Sequence, residues 1–102
     1  MITYGGKNYV LKYNMKRIEL IEGVTNMPTL ADLQRTRGLL SLSSLKAYVA
    51  YGIKEDGADV FLNPKKGMEI AESLIESNGY PDVCAIVLEA LERDCPFFFQ
   101  EG

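Results

Sequence analysis

The chain has 102 residues, 47% hydrophobic and 25% charged, with a net charge of −3 and no histidine. That length suits one domain with a modest core, and no apolar run approaches the roughly 20 residues a membrane-spanning helix needs. Without histidine there is no Ser/His or Cys/His nucleophile and no imidazole for zinc, so the commonest hydrolytic and metal sites are excluded.

The chain opens on a hairpin pattern over residues 2–13. Ile2-Thr3-Tyr4 and Tyr9-Val10-Leu11-Lys12-Tyr13 are rich in aromatic and β-branched residues, and Gly5-Gly6-Lys7-Asn8 between them tolerates positive φ. Gly5-Gly6-Lys7 lacks the length and the following Ser or Thr of a phosphate-cradling loop. The period then changes. Asn14 is a helix cap, Met15, Ile18 and Ile21 are the apolar positions, and Gly23 is placed to stop the helix. Everything after Gly23 reads as helix and loop, which leaves the hairpin as the only sheet nucleus.

Pro28 keeps the next linker extended. Thr29 with Asp32 resembles a capping box opening a short helix that Gly38 ends. Ser41 caps the following helix, with Leu42, Leu45 and Val49 at helical spacing and Tyr48 beside them. Tyr51 falls off that stripe, toward solvent or a partner. These two helices also fit a helix-turn-helix outline, but the second carries only Lys46 and is too apolar to enter a DNA groove.

Residues 54–59 form a polar loop, and Val60-Phe61-Leu62 anchors it to the core. Asn63-Pro64 starts a helix as cap and first residue. Its buried face is Met68, Ala71, Leu74 and Ile75, and its outer face is Glu69, Glu72 and Glu76. Those glutamates have a spacing that suits a cation, but on an outer face without histidine they read as solvated surface. The last helix begins at Tyr80-Pro81-Asp82 and carries Val83, Ile86, Val87, Ala90 and Leu91, a regular amphipathic stripe. Cys95-Pro96 ends it. Cys84 and Cys95 are eleven positions apart, about 16 Å along a helix, whereas a disulfide needs Cα atoms within about 7 Å. They read as free thiols of a reducing compartment. No basic stretch followed by an apolar run opens the chain, which is read as cytosolic.

The tail, residues 96–102, holds Phe97-Phe98-Phe99. Three consecutive rings either fold back on the chain's own core or dock on a neighbour, since leaving one in water costs about 1.5–3 kcal/mol relative to burying it. Charge is also divided. Residues 1–54 carry eight basic and three acidic side chains, +5, and residues 55–102 carry three basic and eleven acidic, −8. The halves either attract one another within the fold or join copies head to tail, and the first is favoured because intrachain contact has the higher effective concentration.

The order of elements resembles a known family. Tyr9-Val10-Leu11-Lys12-Tyr13 leads into a helix with Ile18 and with Glu22 before Gly23. A later helix ends Tyr48-Val49-Ala50-Tyr51-Gly52-Ile53, and a Pro-started helix and an amphipathic helix follow. Over residues 3–91 this is similar to the small tail assembly chaperones of long-tailed phages and prophages, with residues 27–38 matching least. The resemblance implies a non-enzymatic protein of the bacterial host cytoplasm. Such a protein coats the tape measure protein, helps recruit tail tube subunits and is absent from the mature virion. It also implies a longer form made by ribosomal frameshifting, for which Pro96-Phe97-Phe98-Phe99 can be encoded by a slippery pyrimidine run.

The expectation is therefore one α+β domain over residues 1–102, a hairpin (2–13) followed by four to five packed helices (14–95) and the aromatic tail. No catalytic residue, cofactor, metal, nucleic acid or membrane enters it. Contacts are expected at Phe97, Phe98 and Phe99, then at Tyr51, with Arg35 and Arg37 meeting an acidic partner surface. The alternatives are a minor tail or head–tail joining protein retained in the particle, and a small nucleic-acid-binding regulator.

Overall fold

Two glycines set the start of the fold. β1 (Ile2–Tyr4) and β2 (Lys7–Leu11) pair antiparallel, Ile2 opposite Tyr9 and Tyr4 opposite Lys7. The turn between them is Gly5-Gly6, with φ of 58° and 78°. Positive φ at both central residues is what a two-residue hairpin turn requires to match strand twist. The computed structural model describes residues 2–99; Gln100, Glu101 and Gly102 of the tail, and Met1, lie outside the described residues.

α1 (Met15–Thr25) starts on Asn14, whose side-chain oxygen accepts from the Arg17 backbone N–H at 2.9 Å. It runs two residues past Gly23. The left-handed residue that ends it is Asn26, at φ 55°, a residue type that tolerates this conformation. Met15, expected on the buried face, is exposed, and Ile18 and Ile21 carry the packing.

α2 (Thr29–Thr36) is not capped by Thr29. Pro28 is the cap residue, and the Thr29 backbone N–H donates to the Glu22 carboxylate of α1 at 2.7 Å. The Thr29 side chain is turned inward and fully buried, accepting from the Tyr48 hydroxyl at 2.9 Å. A residue needed inside cannot also serve as a surface cap, and the neighbouring helix supplies the carboxylate instead.

α3 (Leu42–Gly52) is the axis of the molecule. Ser41 caps it as expected, accepting from the Ser44 backbone N–H at 3.2 Å. Leu45 and residues 47–50 are buried against elements on several sides, although Leu42, read as part of the stripe, is exposed. α1 runs antiparallel to it: Arg17 Nε donates to the Tyr51 carbonyl at 2.8 Å, while Val24 lies beside Ser43 and Ser44. α4 (Pro64–Asn78) is also antiparallel, with Gly67 against Ala50 and Ile75 near Leu42. A Cβ on Gly67 would sit 2.9 Å from the Ala50 Cα, so only glycine allows this approach. α5 (Tyr80–Asp94) runs parallel to α3: the Tyr80 hydroxyl donates to the Leu40 carbonyl at one end, and Asp94 reaches the β2 end at the other.

The hairpin is not the whole sheet. Residues Ile53–Glu55 form β3, antiparallel to β2, with Leu11 opposite Ile53 and Tyr9 opposite Glu55. The ladder is extended by Lys12 N–H to the Gly52 carbonyl at 2.8 Å and Asp56 N–H to the Asn8 carbonyl at 2.9 Å. The rest of the fold is the expected one, a hairpin followed by five helices with a short antiparallel sheet. Val60 is exposed rather than an anchor, whereas Leu62 packs on the core and donates its N–H to the Ile53 carbonyl at 3.1 Å.

Candidate functional site

Two exposed surfaces lie at opposite ends of α3. At its N-terminal end is a groove of about 530 Å³. One wall is Val24 and Thr25 of α1 with Met27 of the connection, the other is Met68 and Glu72 of α4, and the floor is Ser43, Ser44 and Ala47 of α3. Arg35 of α2 and Lys46 of α3 bring positive charge to it. The helical spacing that buries Leu45, Tyr48 and Val49 turns Ser43, Lys46 and Ala47 toward the gap between α1 and α4.

Arg35 Nη2 donates to Asp32 Oδ1 at 3.3 Å, and the Asp32 carboxylate is only 1% exposed. Its Oδ2 has no hydrogen-bond partner among the described residues. Behind it, the Tyr13 hydroxyl donates to the Tyr48 carbonyl at 2.7 Å, and the Tyr48 hydroxyl continues to Thr29. Burial pushes the Tyr48 phenol up to about 12, against the hydrogen bond to Thr29. Burial and the neighbouring Tyr48 push Tyr13 well above the ordinary tyrosine value. Both phenols are therefore neutral donors at physiological pH. Lys46 makes no ion pair among the described residues. Arg37 is the left-handed residue that ends α2, at φ 57°, and it does not line the groove.

At the other end of α3, α5 passes into a 3₁₀ turn (Pro96–Phe98). Cys95 is fully buried and Phe98 packs on the core, but Phe97 and Phe99 remain 43% and 41% exposed. The Phe97 and Phe98 rings lie 4.7 Å apart and tilted by 39°. Of the three rings, Phe98 folds back on the chain's own core, and Phe97 and Phe99 face out.

This end is held by a charge cluster. Asp94, with its side chain 4% exposed, accepts from the Tyr13 backbone N–H at 2.9 Å, from Lys12 Nζ at 3.3 Å and from Arg93 Nε and Nη2 at 2.8 Å each. Arg93 Nη2 also donates to the Leu11 carbonyl at 2.5 Å. Burial raises the Asp94 carboxyl, but the bonds from Arg93, Tyr13 and Lys12 outweigh it and hold the group at about 2. Tyr51 stands near this end but is half-buried against the core rather than free. Arg17, whose pKa is lowered by burial, lies with its guanidinium 4.1 Å from the Phe61 ring centre.

The structure therefore separates the expected contact residues. Arg35 belongs to the groove, and Phe97, Phe98 and Phe99 to the far end. Val24, Met27 and Met68 escaped notice because each sits where α1 and α4 meet α3 in space. The local signals were Arg35 and Lys46, the latter a lone charge inside an apolar helix. Glu69, Glu72 and Glu76 do lie on the exposed face of α4, and Glu69 pairs with Lys66 at 3.6 Å. Among the described residues no group of three or more acidic or thiol side chains is placed to hold a metal ion, and no helix is long and apolar enough to cross a membrane. Cys84 and Cys95 are buried free thiols.

No family model, curated protein or solved structure matches the chain.

Proposed function

We propose that this chain is a non-enzymatic assembly chaperone for the tails of long-tailed phages or prophages. It works in the bacterial host cytoplasm, holding the tape measure protein and helping to bring in tail tube subunits. The observation that carries this reading is a completed core with apolar surface to spare. Residues from every helix and from the sheet are buried together, yet Met15, Val24, Leu39, Leu42, Phe97 and Phe99 stay exposed on the outside. Exposed apolar side chains that gather into a patch are what an apolar partner covers. The resemblance of the element order to tail assembly chaperones names the partner. The divided charge supports it too, because an assembly factor must let go, and charge-steered contacts are easily reversed.

The test is quantitative mass spectrometry of purified particles from cells that make this protein. The expected result is abundance in the lysate and absence from finished particles. High copy number in the particle would replace the chaperone with a retained structural component.

A further inference from the structure

The groove at one end of α3 and the aromatic turn at the other are unfilled and complementary. We propose that they fill each other between copies. Phe97 and Phe99 of one chain seat in the groove of a second, against Val24, Met27 and Met68, so that copies join head to tail. The inference concerns this chain alone and stands independently of the tail-assembly reading.

Three observations lead to a second copy as the occupant. The first is shape and chemistry. A volume of about 530 Å³ falls in the range of pockets that hold compact apolar groups, roughly 300–1,000 Å³. Methionine sulfur is a favourable neighbour for an aromatic ring, and Met27 and Met68 stand on opposite walls.

The second is reach. The 3₁₀ turn is pinned at the C-terminal end of α3 by buried Cys95, by Phe98 on the core and by the Asp94 cluster. The groove opens at the N-terminal end of the same eleven-residue helix, about 16 Å away at 1.5 Å per residue. A chain cannot fill its own groove, but a second copy can.

The third is charge. Among the described residues, the ion pairs Lys7–Glu55 and Lys12–Asp94 link the basic first half to the acidic second half. The two halves thus meet inside the fold at these two pairs, while most of the charged side chains make no ion pair among the described residues. Lys46 in the groove makes no ion pair among the described residues, and Glu92 is exposed in the last turn of α5, just before the aromatics. Bringing the turn of one copy to the groove of the next brings these charges together. Such a contact uses two different patches, so each added copy presents a fresh groove and a fresh turn, and the assembly grows as a chain or closes as a ring.

Sedimentation velocity across a concentration series tests this, using the full chain and two variants, each checked by circular dichroism. In one, Phe97→Ser and Phe99→Ser blunt the turn at exposed positions; in the other, Lys46→Glu reverses the groove charge. The wild-type chain is expected to form species larger than dimers as concentration rises. Each variant alone is expected to associate at least about tenfold more weakly, a shift of ~1.4 kcal/mol. The variants mixed in equal amounts are expected to give a dimer that does not grow, because the intact turn of one enters the intact groove of the other and the blocked ends stop extension. A wild-type chain that stays monomeric, variants that associate as it does, or a mixture that forms no dimer would each overturn the proposal.

Discussion

Asp94 offers the sharpest test of how the C-terminal end is held. Replacing it with Asn keeps the shape and removes the charge. The Tyr13 N–H can still find an oxygen, but the ionic bonds to Arg93 and Lys12 become ordinary ones. The carboxyl stands at about 2 in the fold against its usual 3.8, and each pKa unit is worth about 1.4 kcal/mol, so the ionised form contributes about 2 kcal/mol. The side chain is 4% exposed, so solvent screens little of this at the carboxylate. The sign follows from a depressed folded value. The stabilisation is fully present above the unfolded pKa near 4, and it is lost as pH falls from there through about 2. Urea unfolding followed by circular dichroism, at several pH values between 2 and 7, reads both effects. At pH 7 the Asp94→Asn chain should be less stable by about 2 kcal/mol. The gap between the two proteins should then close on acidification, because the wild type alone loses this contribution. A gap that stays constant with pH, or a loss below about 0.5 kcal/mol at neutrality, the scale of an ordinary surface substitution, would refute this account of the cluster.

Further outcomes follow from the same packing. Gly67→Ala should destabilise the chain by about 1–3 kcal/mol, the usual cost of overpacking, because its Cβ meets the Ala50 backbone; thermal melts measure it. Tyr48→Phe should cost about 1 kcal/mol, the net worth of a buried hydrogen bond, by loss of the bond to Thr29. In an alkaline ultraviolet titration Tyr13 and Tyr48 should ionise last. Their raised values mean stability that is intact below about pH 10, the unfolded tyrosine value, and lost as pH rises toward 12. Cys84 and Cys95 should resist an aromatic disulfide reagent in the native state and react together on unfolding.

Local signals accounted for much of the fold. The Gly5-Gly6 turn, the Asn14, Ser41 and Asn63 caps, Pro64 at a helix start and the α5 stripe all act over a few residues. They can be read wherever they stand. What escaped was decided across the chain. β3 is three residues long, two of them charged, and becomes a strand only because Gly52 hands Ile53 to the edge of β2. Thr29 looked like a cap until Tyr48, nineteen positions on, claimed its hydroxyl, and Glu22 took over the cap. The aromatic tail was visible from composition, but only packing divides it into a buried Phe98 and exposed neighbours. The groove had little sequence signal beyond Arg35 and Lys46, because its walls come from α1 and α4 and its floor from α3.

Co-expression with a phage tape measure protein tests the proposed tail-assembly role most directly. The account predicts that more of the tape measure protein is soluble with this chain than without it, and that it co-purifies with several copies of this chain. A tape measure protein that stays aggregated, with this chain recovered free of it, would contradict the account.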